Sequence, residues 1–134
     1  MTSYQKEIIR IRDKIYSKDY LCNQIIQSKL FIDKNFGSNI NLKDISGEAF
    51  FSKFHFIRLF KNNYGRTPYQ YLTEVRIANA KKFLKSGMPV TDVCVSVGFD
   101  SITSFTRLFK KITGSTPAAF QKSTGKKAIL NKAF

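Results

Sequence analysis

Arginine, lysine and apolar side chains share two short stretches of this chain at helical spacing. The first is "FIRLFKNNYGRTP", Phe56 to Pro68. The second is "FTRLFKKITGSTP", Phe105 to Pro117, and eight of thirteen positions are identical at a shift of 49 residues. A helical period turns Phe56, Leu59 and Phe60 to one side of the first stretch, and Phe105, Leu108 and Phe109 to one side of the second. Lys53, Phe54, Ile57 and Arg58 are then left outward in the first, and Ile102, Thr103, Thr106 and Arg107 in the second. As solvated faces these sets are odd, because they put apolar groups beside cations. Against a DNA major groove they are apt: apolar side chains meet thymine methyls, arginine bonds guanine, and threonine bonds either kind of base. These eight residues are the expected base readers. Packing of Phe54 and Ile57 on a neighbouring helix is the plainer alternative.

Charge sign supports the same chemistry. From Ser52 to Arg66 the cations are Lys53, Arg58, Lys61 and Arg66, with no acid among them. From Ser101 to Gly114 they are Arg107, Lys110 and Lys111, again with no acid. One sign of charge at both repeated sites predicts phosphate neighbours. Helix starts at Asn41, Ser52 and Ser101 add N–H groups suited to anions. The expected phosphate contacts are Asn41, Ser52, His55, Lys61, Arg66, Ser101, Ser104, Lys110 and Lys111.

Composition narrows the function classes. There are 23 Lys and Arg against 9 Asp and Glu, a net charge of +14. Solubility of a small domain needs only about 2–8, so the excess points to a polyanion, either nucleic acid or an anionic membrane. A generally lysine-rich proteome is the bland explanation. His55 is the sole histidine, which argues against a histidine-based metal site or a Ser-His-Asp arrangement. Neither a phosphate-cradling glycine loop nor paired carboxylates beside a nucleophile occur, so no enzyme, cofactor or metal is expected. Cys22 and Cys94 lie in apolar helical patterns and read as buried thiols of a reducing cytoplasm. The N-terminus is charged within six residues and lacks an apolar run long enough for a signal peptide or a membrane span.

These residues need helices to position them, and the chain supplies a consistent series. Residues 1–19 hold an amphipathic helix with Tyr4, Ile8, Ile11 and Ile15 on one side; it docks on the domain or pairs with a partner. Residues 20–66 hold a helix with Leu21, Cys22, Ile25, Ile26 and Phe36 on one face. A short helix capped by Asn41 follows, with Leu42, Ile45 and Ala49 inward, and then the first cation-bearing helix, stopped by Gly65. Residues 67–87 form a long helix opened by Thr67-Pro68, with Tyr71, Leu72, Val75, Ala78 and Phe83 on its apolar side. Residues 88–122 repeat the short helix, turn and longer helix, Asp100 being one inserted residue relative to the first copy. Residues 123–134 read as a basic tail that frays after Thr124.

No segment alternates with a period of two, so the fold is all-α, about seven helices plus the N-terminal one. Short helix, tight turn and longer helix is the outline of a helix-turn-helix, whose second helix reads DNA. The connecting helix of 18 residues, Pro68 to Lys85, is roughly 27 Å long. Successive major grooves on one DNA face are about 34 Å apart. Two unlike reading heads on one chain predict an asymmetric target, with some bending of the DNA.

At "DVCVSVGFDSITSFTRLFKKITGSTPAAF", Asp92 to Phe120, and at the weaker copy "SKFHFIRLFKNNYGRTPYQY", the sequence resembles the AraC/XylS family of bacterial transcription regulators. The likeness covers about residues 21–122. It implies two helix-turn-helix subdomains joined by a long helix. It also implies sequence-specific binding upstream of promoters, usually to activate transcription by contacting RNA polymerase. The family's base-reading positions fall on the eight residues that the helical period leaves outward. Phe50 stands where the family turn has a small residue, whereas the second copy keeps Gly98. The chain resembles the short stand-alone members; an excised DNA-binding half of a larger ligand-sensing regulator and a non-specific architectural binder are the alternatives. The expected setting is a cytoplasmic, nucleoid-associated monomer on double-stranded DNA, with no membrane partner.

Overall fold

The computed structural model describes residues 2–15, 18–46 and 53–133. Among them are eight α-helices and no strand, in agreement with the all-α expectation: α1 (Ser3–Ile15), α2 (Lys18–Asn35), α3 (Leu42–Ser46), α4 (Lys53–Tyr64), α5 (Pro68–Lys85), α6 (Val90–Ser96), α7 (Ile102–Thr113) and α8 (Pro117–Ala133). The chain divides into two compact units. The first comprises Met1–Lys34 and Asn41–Pro68, the second Asn35–Ile40 and Tyr69–Phe134. The segment between α2 and α3 thus belongs with the second helix-turn-helix, although it is adjacent in sequence to the first.

In the first unit Ile25, Ile32, Leu42, Ile45, Phe56 and Phe60 are buried. The rings of Phe60 and Tyr64 lie 4.9 Å apart, and the Lys29 ammonium stands 5.8 Å from the Tyr64 ring centre. The buried stripe of α2 runs through Ile25, Ser28 and Ile32. Ile26, expected on the inner face, is 49% exposed. Ser28 conceals the register from the sequence because a serine reads as polar, yet its hydroxyl donates to the Ile25 carbonyl at 2.7 Å and so tolerates burial.

The second unit packs Ile77, Ala80, Leu84, Val93, Cys94, Val97, Phe105 and Phe109 into one core, flanked by Phe36, Phe83, Met88, Val90, Phe99 and Phe120. A run of tilted and edge-on rings joins Phe99 to Phe105 (5.2 Å), Phe105 to Phe109 (5.8 Å) and Phe109 to Phe120 (5.5 Å). Offset and edge contacts of this kind add to the burial of the rings themselves. The Cys94 thiol is buried, and that burial, with the nearby Asp100 charge, pushes its pKa up.

Helix α5 differs from expectation in its face. Its buried residues are Pro68, Leu72, Ile77, Ala80 and Leu84, while Ala78 is exposed and Tyr71 and Val75 are half-buried. Leu72, Arg76, Ala80 and Leu84 follow one another at four-residue steps. The arginine in that row hides the stripe from a reading of apolar residues alone. Helix α8 runs from Pro117 through Ala133, where a basic tail fraying after Thr124 was expected. The added turns contain three lysines and two alanines, residues of high helix propensity.

Candidate nucleic-acid interface

The repeated phrase becomes legible residue by residue. Phe56 and Phe60, like Phe105 and Phe109, are buried, and Leu59 and Leu108 are half-buried. Gly65 and Gly114 end their helices at φ of 72° and 88°. Their amides donate to the carbonyls of Lys61 at 2.7 Å and Lys110 at 2.8 Å. A left-handed residue at this point closes the last helical turn, and glycine adopts it without a Cβ penalty. The Thr-Pro pair then opens α5 at Pro68 and α8 at Pro117. Thr116 Oγ1 accepts from the Ala119 amide at 3.2 Å. Phenylalanine, leucine, glycine, threonine and proline are thereby explained by folding. The two shared residues left over are the arginine and the lysine, and Arg58, Lys61, Arg107 and Lys110 are all exposed.

Of the expected base readers on α4, Lys53, Phe54 and Arg58 are exposed and Ile57 is half-buried. On α7, Ile102, Thr103 and Arg107 are exposed and Thr106 is half-buried. Phe54 is 74% exposed, so it does not pack on a neighbouring helix as the plainer alternative requires. Residues three and four apart share a helix face, which puts Lys53, Phe54, Ile57, Arg58 and Lys61 on one side of α4. The same spacing puts Ile102, Thr103, Thr106, Arg107 and Lys110 on one side of α7.

Among the expected phosphate contacts, Arg66, Ser101, Ser104 and Lys111 are exposed and His55 is half-buried. Ser52 lies outside the described residues. Asn41 is exposed but engaged: its side-chain oxygen accepts from the Asp44 amide at 2.8 Å, and its own amide donates to the Asp44 carboxylate at 3.0 Å. This reciprocal cap sets a carboxylate at the start of α3. Ser101 caps α7 by accepting from the Ser104 amide at 3.0 Å, and its hydroxyl lies 3.2 Å from that of Ser104. Replacing Ser101 by alanine is expected to destabilise the second unit by about 1 kcal/mol, read as a lower denaturant midpoint with an unchanged slope.

Two further residues, Arg76 and Gln121, tie together segments of the second unit. Arg76 donates from Nε to the Phe36 carbonyl at 2.8 Å and from Nη2 to the Ser38 carbonyl at 3.0 Å. Its guanidinium carbon stands 5.8 Å from the Phe99 ring centre. Burial lowers the Arg76 pKa and the Asp100 charge opposes that shift. Gln121 Nε2 donates to the carbonyls of Met88 at 2.7 Å and Leu84 at 3.1 Å, tying α8 to the end of α5. The signal for Arg76 was its place in the Leu72–Ala80 row. Nothing in the sequence marked Gln121.

Among the described residues no helix is long and apolar enough to cross a membrane. Comparison with known proteins agrees with the architecture. A family profile described as a helix-turn-helix domain matches residues 45–123. A probable transcription factor of Proteus vulgaris, PqrA, is 35% identical over 85 residues, which are 63% of this chain and 70% of that protein. The bifunctional transcriptional activator and DNA repair enzyme AdaA of Bacillus subtilis is 37% identical over 93 residues, 69% of this chain; the chain spans 44% of AdaA, less than half its length. The DNA-binding domain of AdpA, a global transcriptional factor solved in complex with a target DNA, superimposes with a TM-score of 0.72 at 22% identity, over 77% of this chain and 94% of that one. At that identity the likeness shows the fold. With helix-turn-helix units built around α3–α4 and α6–α7, and with these relatives, the chain belongs to the AraC family of helix-turn-helix, DNA-binding transcription regulators.

Proposed function

We propose that α4 and α7 enter two major grooves of one asymmetric DNA site, and that the chain acts there as a transcription activator. Lys53, Phe54, Ile57 and Arg58 read one half, and Ile102, Thr103, Thr106 and Arg107 the other. Lys61, Arg66, Ser101, Ser104, Lys110 and Lys111, with His55 and Ser52, meet phosphates. The chain binds as a monomer in the cytoplasm, on the nucleoid, and contacts RNA polymerase. The observation that carries this reading is the surplus in the repeat: once folding accounts for its other residues, an exposed arginine and an exposed lysine remain in both copies. A helix surface kept cationic and partly apolar at two equivalent places suits base edges flanked by phosphates.

Two substitutions separate base reading from charge. Arg107→Ala is expected to lose about 1–3 kcal/mol at one base position and to relax preference there. Lys110→Ala is expected to weaken all sequences alike and to reduce the salt slope by about one. Competition binding across single-base variants of a bound site measures both. Equal weakening of every sequence by Arg107→Ala would contradict base reading by that residue and favour a non-specific binder.

A further inference from the structure

Arg76 joins three segments of the second unit that are distant in sequence. Its two carbonyl partners lie on the stretch Phe36–Ser38, and its guanidinium covers the Phe99 ring. Gly98 closes the arrangement. At φ of 92°, its backbone passes so near that an added Cβ would stand 2.7 Å from the Phe36 carbonyl oxygen and 2.9 Å from Arg76 Nη2. Gly37 is also tightly packed; a Cβ there would meet the Ser96 carbonyl oxygen at 2.6 Å. The turn from Val97 to Asp100 is therefore held against the 36–38 stretch through one side chain, and α7 begins two residues further on, after the Ser101 cap.

The chemistry of the clamp is specific to arginine. Its planar fork offers N–H groups in fixed directions, so two carbonyls can be engaged at once, and its flat face stacks on an aromatic ring. A lysine supplies the charge but not the fork. A partly desolvated cation needs compensation, and the Asp100 carboxylate contributes some of it from the same turn. Asp100 is also the residue by which the second copy exceeds the first, so the sequence gives this clamp no carboxylate counterpart in the other repeat.

We propose that Arg76 is a positioning residue: by clamping the Val97–Asp100 turn it fixes the direction of α7, and so sets base preference in the half-site that α7 reads. This rests on the DNA-reading role proposed above. Base readout depends on hydrogen-bond directions that weaken steeply with misalignment. A small rotation of α7 spoils discrimination while leaving phosphate attraction largely intact.

The test compares the wild type with Arg76→Met and Arg76→Lys on the site that the wild type selects from random DNA. Affinities are measured for every single-base substitution in both halves, at a temperature where circular dichroism shows each protein folded. In the α7 half, the ratio between best and worst base should fall from roughly tenfold or more toward unity for Arg76→Met, with Arg76→Lys intermediate. The α4 half should keep its ratios. A merely structural role would reduce the active fraction and leave both sets of ratios unchanged, which overturns the proposal. Equal flattening of both halves overturns it as well, and so does failure of both variants to fold, since Arg76 would then be a folding residue only. A wild type that selects no site contradicts the DNA-reading role itself.

Discussion

Phe105→Ala is expected to destabilise the second unit by about 3–5 kcal/mol. The ring is fully buried between Phe99 and Phe109, at 5.2 and 5.8 Å. Truncation removes both ring contacts and leaves a cavity in the core of the second unit. Domain stabilities of about 5–15 kcal/mol make such a loss a large fraction of the whole. Denaturant unfolding at 25 °C followed by far-ultraviolet circular dichroism reads it. Phe54→Ala is the contrast. That ring is 74% exposed, so its removal should change stability by no more than about 0.5 kcal/mol while weakening DNA binding. A stability loss at Phe54 comparable to that at Phe105 would return Phe54 to the core.

Gly98→Ala has the second large effect, about 2–4 kcal/mol. Two causes combine. The residue sits at φ of 92°, where L side chains are strained. The new methyl group would also collide with the Phe36 carbonyl oxygen, a backbone atom with little freedom to retreat. Gly114→Ala separates the two causes. It has a similar φ of 88°, but nothing lies within 4 Å of an added Cβ, so only conformational strain of about 1 kcal/mol applies. The difference between the two variants, measured by denaturant unfolding, reports the collision. Equal effects would mean that the turn and the 36–38 stretch are not pressed together.

Where the sequence was legible, local signals and tertiary packing agreed. Gly65 and Gly114 cap their helices as glycines after a periodic run should, and Thr-Pro opens α5 at Pro68, as the fixed φ of proline favours. The alternating inward and outward positions of α4 and α7 follow from strongly apolar phenylalanines set against cations. Other features were hidden because a polar residue lies inside a buried row. Ser28 satisfies its own hydroxyl within α2, and Arg76 finds its partners some 40 residues away in sequence. A periodicity argument discards both as surface positions and shifts the apolar stripe onto Ile26 and Ala78. The assignment of residues 35–40 to the second unit was equally out of reach, since it rests on packing between segments distant in sequence.

The candidate interface was readable for a related reason. Its residues are those that packing does not use, and the period sorts them without knowledge of the tertiary fold. Asn41 is engaged in a cap within its own chain. A helix start suggests an anion, but Asp44 already supplies one from the chain itself.

The most direct measurement is selection of bound sites from a random pool of double-stranded DNA by the wild-type chain at physiological salt. Two reading heads that differ in sequence should enrich a bipartite, non-palindromic site whose two blocks of preference are separated by about one helical turn. Enrichment of a palindrome, of a single block, or of no sequence at all would contradict the account.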